Sequence, residues 1–438
     1  MSSLITSAII GKETLLNFQN SLVVGSKADW QYSAMFGKEE SQIGNSRSIR
    51  RPIAVTLQEN NMSWNAANSA VTETYVKLVV DRSLTVPMSF TEGDMALKIE
   101  RFSERYIGPT VRQIAAVLDA RVCDSISNST VATASATSGL STAGLDGNAV
   151  GTPNAAGYVV GAFGTALTPA TIMKAKQYLI DVACPDDGRI YGFLSSKAQS
   201  DLNQAQATLF NPLLQVDSVY RAGEIGQYAG IKFSATQSAA THINGTQTDI
   251  AVTSGTLTSG WAESATLVID ASAGINTGDM FEAPTQVLVN PLSKFPTSTK
   301  AQFQVISVTD GTHVVVSPAP ISAGPYKNIS ATIDGATLTL VGASGASGQE
   351  SLIFHKSAVA CASPALSVPS KGVEMARLIQ DEDIDGFVLR FLRTYDALGA
   401  STAFGGGVGT GGPGFVNRYD TIWGVKTTNV QWIVRVRA

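Results

Sequence analysis

The chain has 438 residues, of which 44% are hydrophobic and 15% are charged, and its formal net charge is −4. This length allows two or three domains of about 150 residues each. The charged fraction lies well below the roughly 25% of an average soluble protein. Contacts between copies of the chain would explain this deficit, and so would a monomer that favours small residues. The acidic balance excludes a basic field for tight nucleic-acid binding, and no apolar run approaches the ~18 residues of a membrane span.

The three cysteines, Cys123, Cys184 and Cys361, stand far apart in the sequence. An odd number without paired spacing favours neither a zinc site nor a disulfide framework, so we expect reduced thiols in a protein that folds in a cytosol. Residues 1–11 lack the positively charged start and the continuous apolar stretch of a secretion signal. We therefore expect the chain to act in the compartment where it is made.

The first ninety residues predict two extensions. Residues 1–30 mix apolar and polar side chains without a continuous stripe, which indicates an arm with one short helix. The stretch 48–90 then alternates between the two kinds of side chain, with predicted strands at Ile49–Leu57 and Tyr75–Val80. These strands predict a long hairpin that projects from the rest of the chain.

The tip and the base of this predicted hairpin carry its most conspicuous side chains. The tip is the polar segment 59–73, which contains Trp64. Arg47, Arg50 and Arg51 crowd the base. A salt-bridging role across a subunit contact and a simple solvated charge are both open for these arginines.

A long helix is predicted after the hairpin, because apolar residues recur at spacings of three and four. They are Ile107, Val111, Ile114, Leu118, Val122 and Ile126. About 20 residues would make a helix roughly 30 Å long. The opposite face carries Arg112, Asp119, Arg121 and Asp124, so it should face solvent or another chain. Residues 130–166 hold almost no charge and predict a loop or weak strands.

A second helix is predicted to begin at Thr168 and Pro169, a suitable cap and first-turn pair. Its apolar face comprises Ile172, Ala175, Leu179 and Ala183. A strand at Ile190–Leu194 and a short helix at Lys197–Gln204 follow. Mixed elements of this kind predict an α+β body.

Helical periodicity then disappears from about residue 244 for more than a hundred residues. Short apolar runs separated by turn residues predict a small β-barrel or sandwich, in which Asp310-Gly311 closes one hairpin. The predicted strands are Thr266–Ile269, Met280-Phe281, Val287–Val289, Gln302–Val308, Thr312–Val316, Ala331–Ile333 and Thr337–Val341. Because strands of the mixed body return at Phe387–Phe391, Thr421–Val425 and Gln431–Val436, the β-rich segment is predicted to be an insert in that body.

No motif indicates catalysis. Gly407, Gly409 and Gly412 have dinucleotide-binding spacing, but Pro413 and Gly414 stand where the required helix should begin. The three histidines are His242, His313 and His355, and His313 is expected to be a satisfied, half-buried imidazole of a hairpin. The acidic residues Asp381, Glu382, Asp383 and Asp385 are read as a solvated turn or as a partner for arginines of another subunit, with a hard-cation site as the alternative. We expect no cofactor and no metal.

Three segments carry a resemblance to a known family. They are Tyr220–Gly230 before the insert, Gly278-Asp279 with Phe303–Pro318 centred on Val308–His313, and Trp423-Gly424-Val425. Together with the element order they resemble the HK97-fold major capsid proteins of tailed bacteriophages, and more narrowly the P twenty-two-like coat proteins with an inserted β-barrel domain.

The resemblance implies a division of the chain, with the extended loop known in the family as the E-loop and a long spine helix. It implies an N-terminal arm (1–47), an E-loop hairpin (48–90), a peripheral domain with the spine helix (91–167), an axial domain (168–243 and 364–438, with the final peripheral strand) and an inserted barrel (244–363). Two departures stand out: Ser254–Glu263, a charged contact loop in the family, is short and nearly uncharged, and the glycine run 405–414 has no counterpart.

The resemblance also implies a function. The chain would be a non-enzymatic coat protein that forms hexamers and pentamers of an icosahedral shell around double-stranded DNA. Scaffolding and portal proteins would be partners, and assembly would take place in the bacterial cytoplasm. Arg47, Arg50, Arg51, Trp64 and Lys77 are candidate contacts between subunits, and Lys77 lacks a marked activating acid for covalent cross-linking. The alternative is a secreted or surface-exposed β-rich binding or fibre module; an unrecognised enzyme ranks third.

Overall fold

A computed structural model describes most of the chain. The described parts are Thr14, Asn17, Phe18 and residues 21–36, 46–55, 73–91, 107–127, 154–207, 226–369, 373, 375–380, 387–396 and 414–438. The α-helices in these ranges are α1 (Gly108–Ser127), α2 (Pro169–Asp181) and α3 (Ser196–Ala207).

The described strands fall into three successive groups. Before the β-rich segment lie β1 (Ser46–Arg50), β2 (Tyr75–Val79), β3 (Arg82–Thr91), β4 (Tyr158–Val160), β5 (Ile190–Leu194), β6 (Gln227–Tyr228), β7 (Ile231–Ala235) and β8 (Ala240–Ile243). Within it lie β9 (Asp249–Ser254), β10 (Ala265–Ile269), β11 (Met280–Val289), β12 (Pro296–Val308), β13 (His313–Ser317) and β14 (Thr337–Leu340). After it follow β15 (Ser347–His355), β16 (Val359–Ala362), β17 (Met375–Gln380), β18 (Val388–Asp396), β19 (Gly414–Thr427) and β20 (Ile433–Arg437).

The first body sheet is organised around β15. The described strands run in the order β4-β20-β15-β5-β7-β6, and β8 also pairs with β15. The predicted apolar face of α2 is buried on this side of the molecule through Ile172, Ala175 and Leu179. The prediction fails at Ala183, because α2 ends at Asp181 and Ala183 has a left-handed backbone with φ of 54°. The sheet, with α2 packed in the same core, confirms the predicted α+β body.

The second body sheet has the order β16-β19-β18-β17, with β3 also paired to β19. The pairing of β3 with β19 runs without interruption from Arg82↔Trp423 to Thr91↔Gly414. The prediction of one hairpin over 48–90 is therefore wrong for residues 82–90, which belong to this sheet. The hairpin itself is confirmed where β1 pairs antiparallel with β2, from Ser46↔Val79 to Arg50↔Tyr75.

Helix α1 confirms the spacing of its apolar residues, and Arg112 on the other face is exposed as expected, but two further charged residues of that face are buried. Asp119 is 2% exposed and Arg121 is 8% exposed. The Asp119 carboxylate accepts the backbone N–H groups of Val23 and Gly25, each at 2.8 Å. Burial raises the pKa of Asp119, and the backbone N–H groups act against that rise. Asp119 was expected to be exposed, yet it binds the chain's own N-terminal segment.

That segment also corrects the predicted arm. Phe18 stacks on Phe387 with ring centroids 4.5 Å apart, and the Trp30 ring meets the same phenylalanine edge-on at 5.5 Å. Asp29 pairs with β16, donating its N–H to Val359 O and accepting from Cys361 N–H. Residues 21–30 therefore pack into the body of their own chain. Residues 1–13 lie outside the described residues, as do residues 128–153.

The β-rich insert is a closed barrel, as predicted, with described strands in the order β10-β13-β12-β11-β14-β9. Asp310-Gly311 joins β12 to β13 as expected. Two details differ. Ala331–Ile333 lies in a connection without strand structure, and the insert does not extend to residue 363. Body strand β15 already begins at Ser347, because it pairs with β5, β8 and β20 of the first sheet.

Candidate interaction surface

The strand pair β1–β2 has one face on the body and one face outward. Alternation along each strand places Ile49, Val76 and Leu78 on the inner face. These side chains pack in one cluster with Phe36 and Ile422 of the body. The outer face exposes Ser46, Ser48, Arg50, Tyr75 and Lys77. The paired region is therefore anchored on its own subunit, and its outer face is available to another molecule.

The candidate contact residues of this region have different environments. The Arg47 guanidinium lies 5.9 Å from the centroid of the Phe36 ring. Arg50 forms an ion pair with Glu73 at 3.5 Å, with side chains 79% and 60% exposed. Lys77 stands opposite Ser48 on the outer face. Trp64 and the tip 59–73 lie outside the described residues, so their projection stays a prediction.

Arg51 differs from its neighbours because it faces the insert of its own chain. Its guanidinium carbon lies 4.4 Å from the centroid of the Trp261 ring. Burial lowers the pKa of Arg51, while the Glu263 carboxylate acts in the opposite direction. Trp261 and Glu263 belong to the 255–264 connection between β9 and β10, which overlaps the short, nearly uncharged segment Ser254–Glu263. Arg51 was expected at an inter-subunit contact, and the structure gives it an intramolecular partner.

Exposed large apolar side chains lie on the paired strands and directly beyond them. Tyr75 of β2 is 60% exposed, and Ile53 and Val55 beyond β1 are 48% and 53% exposed. A second group comprises Met173 and Ile180 on α2 with Leu292 and Phe295 at the β11–β12 turn. Asn290 Nδ2 donates to Asp181 O at 3.0 Å, which places that turn next to the end of α2. Exposed apolar side chains that lie on neighbouring elements are candidates for a contact surface.

The junction between body and insert contains fully buried charges. Glu350 of β15 accepts hydrogen bonds from Arg435 Nη1 at 2.9 Å and Arg437 Nε at 2.8 Å of β20. All three side chains have 0% exposure. Burial alone would raise the pKa of Glu350, but the two guanidinium groups lower it to about 2. Arg435 also donates to Gly278 O in the insert at 2.7 Å, which ties the charge cluster to the barrel.

Further buried polar groups connect the same two regions. His242 Nε2 lies 3.1 Å from Asp279 Oδ1, and both side chains are fully buried. The Gln304 side chain accepts the N–H of Ala156 at 2.7 Å and donates to Ser127 O at 3.0 Å. Gln302 Oε1 accepts the N–H of Val159 at 2.8 Å. Side chains of barrel strand β12 thus satisfy backbone groups of the body.

The other two histidines also face aspartates. His313 Nδ1 lies 2.8 Å from Asp310 Oδ1 and its side chain is 40% exposed, which confirms the half-buried imidazole. His355 Nε2 lies 3.0 Å from Asp187, and His355 Nδ1 lies 2.7 Å from Ser357 Oγ.

The Asp187, His355 and Ser357 side chains are hydrogen-bonded in the sequence acid, base and hydroxyl, as in a catalytic triad. Capping of a turn accounts for this arrangement. Nδ1 of His355 also accepts the Ser357 N–H at 3.3 Å and caps the turn Lys356–Ala358. Although desolvation raises the pKa of Asp187, hydrogen bonds from His355 and the Arg189 N–H bring it below its usual value. The three residues therefore fasten a surface turn to the 185–189 loop.

The remaining sequence features considered for chemistry are metal-binding side chains, the glycine-rich and acidic segments, and the cysteines. Within the described ranges, no group of three or more His, Cys, Asp or Glu side chains is placed to hold a metal ion. Gly407, Gly409, Gly412 and the acidic run Asp381–Asp385 lie outside those ranges. Cys123 and Cys361 are buried and Cys184 is partly buried, and all three are free thiols. None of the helices that the structure describes has the length and hydropathy to cross a membrane.

The sequence prediction missed the buried ions of the junction. A signal for them exists in β20, where Arg435 and Arg437 alternate with Val434 and Val436. Two arginines at positions i and i+2 of a strand point to the same side. This alternation is also the pattern of a strand with one face in solvent, so the burial of the arginines depends on the long-range partner Glu350.

No protein-family model and no curated protein matches this chain. Among solved structures, 110 chains match. The capsid structure of the cyanophage P-SCSP1u is 12% identical over 90% of this chain and 84% of that chain, with a TM-score of 0.41. The mature capsid of bacteriophage PhiM1 is 9% identical over 95% and 86%, with a TM-score of 0.43. The CUS-3 coat protein I-domain is 22% identical over 22% of this chain and 96% of that chain, with a TM-score of 0.19.

The first two of these structures are phage capsids and the third is a domain of a coat protein. The P twenty-two-like assignment of the sequence stays a prediction. Because the TM-scores lie below 0.5, these likenesses do not by themselves assign a function to this chain.

Proposed function

We propose that this chain is the major capsid protein of a tailed bacteriophage and assembles into the icosahedral shell that encloses double-stranded DNA. The observation that carries the proposal is the strand pair β1–β2. Its inner face is fixed on its own body by Ile49, Val76 and Leu78, while Ile53 and Val55 beyond it remain about half exposed. An anchored extension with an exposed apolar end is suited to contact a second copy.

Shell geometry explains why an extension suits this role. In a shell the same surfaces meet around five-fold and six-fold positions, so each contact has to tolerate small rotations. Head-to-tail contacts between unlike surfaces close into rings when the rotation permits. The exposed groups on the strand pair and at α2 with the β11–β12 turn lie on different elements, as a head-to-tail contact requires.

The remaining parts of the proposal follow from this assembly. Hexamers and pentamers of the chain would form the shell in the bacterial cytoplasm, with scaffolding and portal proteins as partners and the virion capsid as the final location. With a net charge of −4, the inner wall would contain DNA without binding a specific sequence. The role is structural and non-enzymatic, and the shell is non-covalent.

The insert would serve to fold and brace the subunit. Support comes from Arg435, Gln304 and Gln302, whose hydrogen bonds cross between body and barrel. Unpaired buried backbone groups are strongly unfavourable. Without the barrel, the N–H groups of Ala156 and Val159 would lose their partners.

Particle formation tests the proposed function. Light scattering and electron micrographs of the purified chain should show closed particles of megadalton mass. A stable monomer would instead favour the binding or fibre module. Deletion of residues 59–73 should leave folded subunits without shells, and normal particles from that deletion would refute the role of the hairpin.

A milder pair of variants tests the exposed apolar end. Ile53→Ser with Val55→Ser should abolish particles without lowering the melting temperature of the subunit, because both side chains are already about half exposed. Val368→Ser is the matched control, since Val368 is 42% exposed on another segment. Equal loss of particles in both proteins would contradict a specific role for the strand pair.

A further inference from the structure

The inner face of the strand pair ends at a contact with the insert. Arg51 follows β1 and continues its pairing, because its N–H donates to Thr74 O at 2.9 Å. Alternation places the Arg51 side chain on the same face as Ile49. That face rests on the body as far as Ile49, and at Arg51 it reaches the Trp261 ring, 4.4 Å from the guanidinium. The insert therefore provides the last support under the strand pair.

A second bond holds the same connection of the insert against the body. Glu263 forms an ion pair with Lys426 of β19, whose side chain is only 1% exposed. Burial lowers the pKa of Lys426, and Glu263 opposes that shift. The Glu263 carbonyl also accepts the Ser317 hydroxyl at 2.9 Å, which links the connection to barrel strand β13. Trp261 thus stands on a segment fixed to both barrel and body.

The other end of the strand pair is fixed by a close backbone approach. Gly424 of β19 leaves no room for a side chain, since an added Cβ would lie 2.0 Å from Val79 O and 3.0 Å from Val80 Cα. Val79 and Thr74 are separated by five residues of extended strand, or roughly 16 Å. Two supports at this separation fix the direction in which the chain continues beyond Arg51.

We infer that Trp261 and Glu263 of the insert are positioning residues, which set the angle at which the strand pair leaves the subunit. This inference rests on the proposed function and deepens it, because the insert would then control the reach of the contact between copies. A guanidinium can slide over an aromatic face without losing its attraction. The contact would therefore limit the range of angles and still permit the small rotations of a shell.

Hydrogen exchange of the unassembled full chain tests the inference. Trp261→Ala and Arg51→Ala should each accelerate exchange in peptides covering 46–55 and 73–80 by about fivefold to tenfold, the effect of losing a partly desolvated cation–π contact. Trp261→Phe should restore most of the protection, because it keeps an aromatic face. Exchange in β5 and β15 should not change, since those strands lie in the first body sheet.

Arg50→Ala is the matched control, because Arg50 is adjacent in sequence and its ion pair with Glu73 is exposed. Its exchange should stay within about twofold of the wild type. Unchanged exchange at 46–55 and 73–80 in both Trp261→Ala and Arg51→Ala would overturn the inference. If Trp261→Ala fails to fold, the comparison of Arg51→Ala with Arg50→Ala decides the question.

The test separates this inference from the proposed function. Exchange in unassembled subunits reports the support of the strand pair whether or not the wild type forms shells. If the wild type forms particles and the variants exchange faster, Trp261→Ala particles should vary in diameter on micrographs. Uniform particles from that variant would overturn the claim that the insert sets the angle, while leaving the capsid proposal intact.

Discussion

The junction and the strand pair use the same kinds of charged residue in opposite ways. At the junction, Glu350, Arg435 and Arg437 are fully buried and hydrogen-bonded to one another. On the strand pair, Arg50 and Glu73 are 79% and 60% exposed and 3.5 Å apart. Buried charges depend on their partners for stability, whereas exposed pairs contribute little. The charged groups of the junction have all their partners within one chain, whereas those of the strand pair are exposed and can contact another copy.

The largest effect is expected from Glu350→Gln, which removes the negative charge between two buried guanidinium groups. Breaking a buried pair by neutralising one partner should lower the free energy of unfolding by about 3–5 kcal/mol. Chemical denaturation of the unassembled subunit measures the change.

Glu73→Gln is the control in the exposed region, and its effect should stay within about 1 kcal/mol. If the free energy of unfolding falls by the same amount in both variants, burial does not distinguish the two regions and the comparison is wrong.

The same carboxylate predicts how stability depends on pH. Burial would raise the pKa of Glu350, but Arg435 and Arg437 lower it from 4.5 to about 2 in the folded chain. The stabilisation by ionised Glu350 is therefore complete above pH 4.5 and is lost as the pH falls toward 2.

Melting temperatures of wild type and Glu350→Gln measured across this interval should converge at the acidic end. A difference that stays constant or widens on acidification would show that the carboxylate is not held ionised by the two arginines.

A smaller effect is expected from Gly424→Ala at the root of the strand pair. The new Cβ would collide with Val79 O, so β2 has to move away from β19. Overpacking of this kind should destabilise the subunit by about 1–3 kcal/mol, and exchange should increase in 75–79. Gly311→Ala is the control because no atom lies within 4 Å of the added Cβ. Equal stability of the two variants would mean that the close approach does not constrain the pair.

The sequence predicts elements whose pattern is local. The spacing of Ile107, Val111 and Ile114 located α1 to within one residue of its start, because one helical face packs on a sheet. Asp119 misled the prediction, since its burial depends on N–H groups of residues 23 and 25, almost a hundred positions away. Local pattern gives the element, but long-range pairing decides which polar side chains are buried.

The predictions for the insert and for the candidate surface are limited in the same way, because the sequence does not show which distant strand or side chain each residue contacts. Strand β15 follows the barrel strands directly in the sequence, and its register with β5, β8 and β20 assigns it to the body. Arg51 was predicted to contact another subunit, whereas its partner in the structure, Trp261, lies about two hundred residues further along the same chain. The predictions for Arg47, Arg50, Trp64 and Lys77 as contacts between copies remain to be tested.

The residues at which the chain enters and leaves the barrel are hydrogen-bonded to each other. Asn244 donates its N–H to Ala346 O at 2.9 Å, and Gly345 donates to Gly245 O at 3.1 Å. The ends of the insert are therefore held at a fixed distance by the pairing of β8 with β15. Because closure entropy grows slowly with loop length, this pairing tolerates connecting segments of different length, but a replacement for the barrel would also have to supply partners for the Ala156 and Val159 N–H groups and for Arg435.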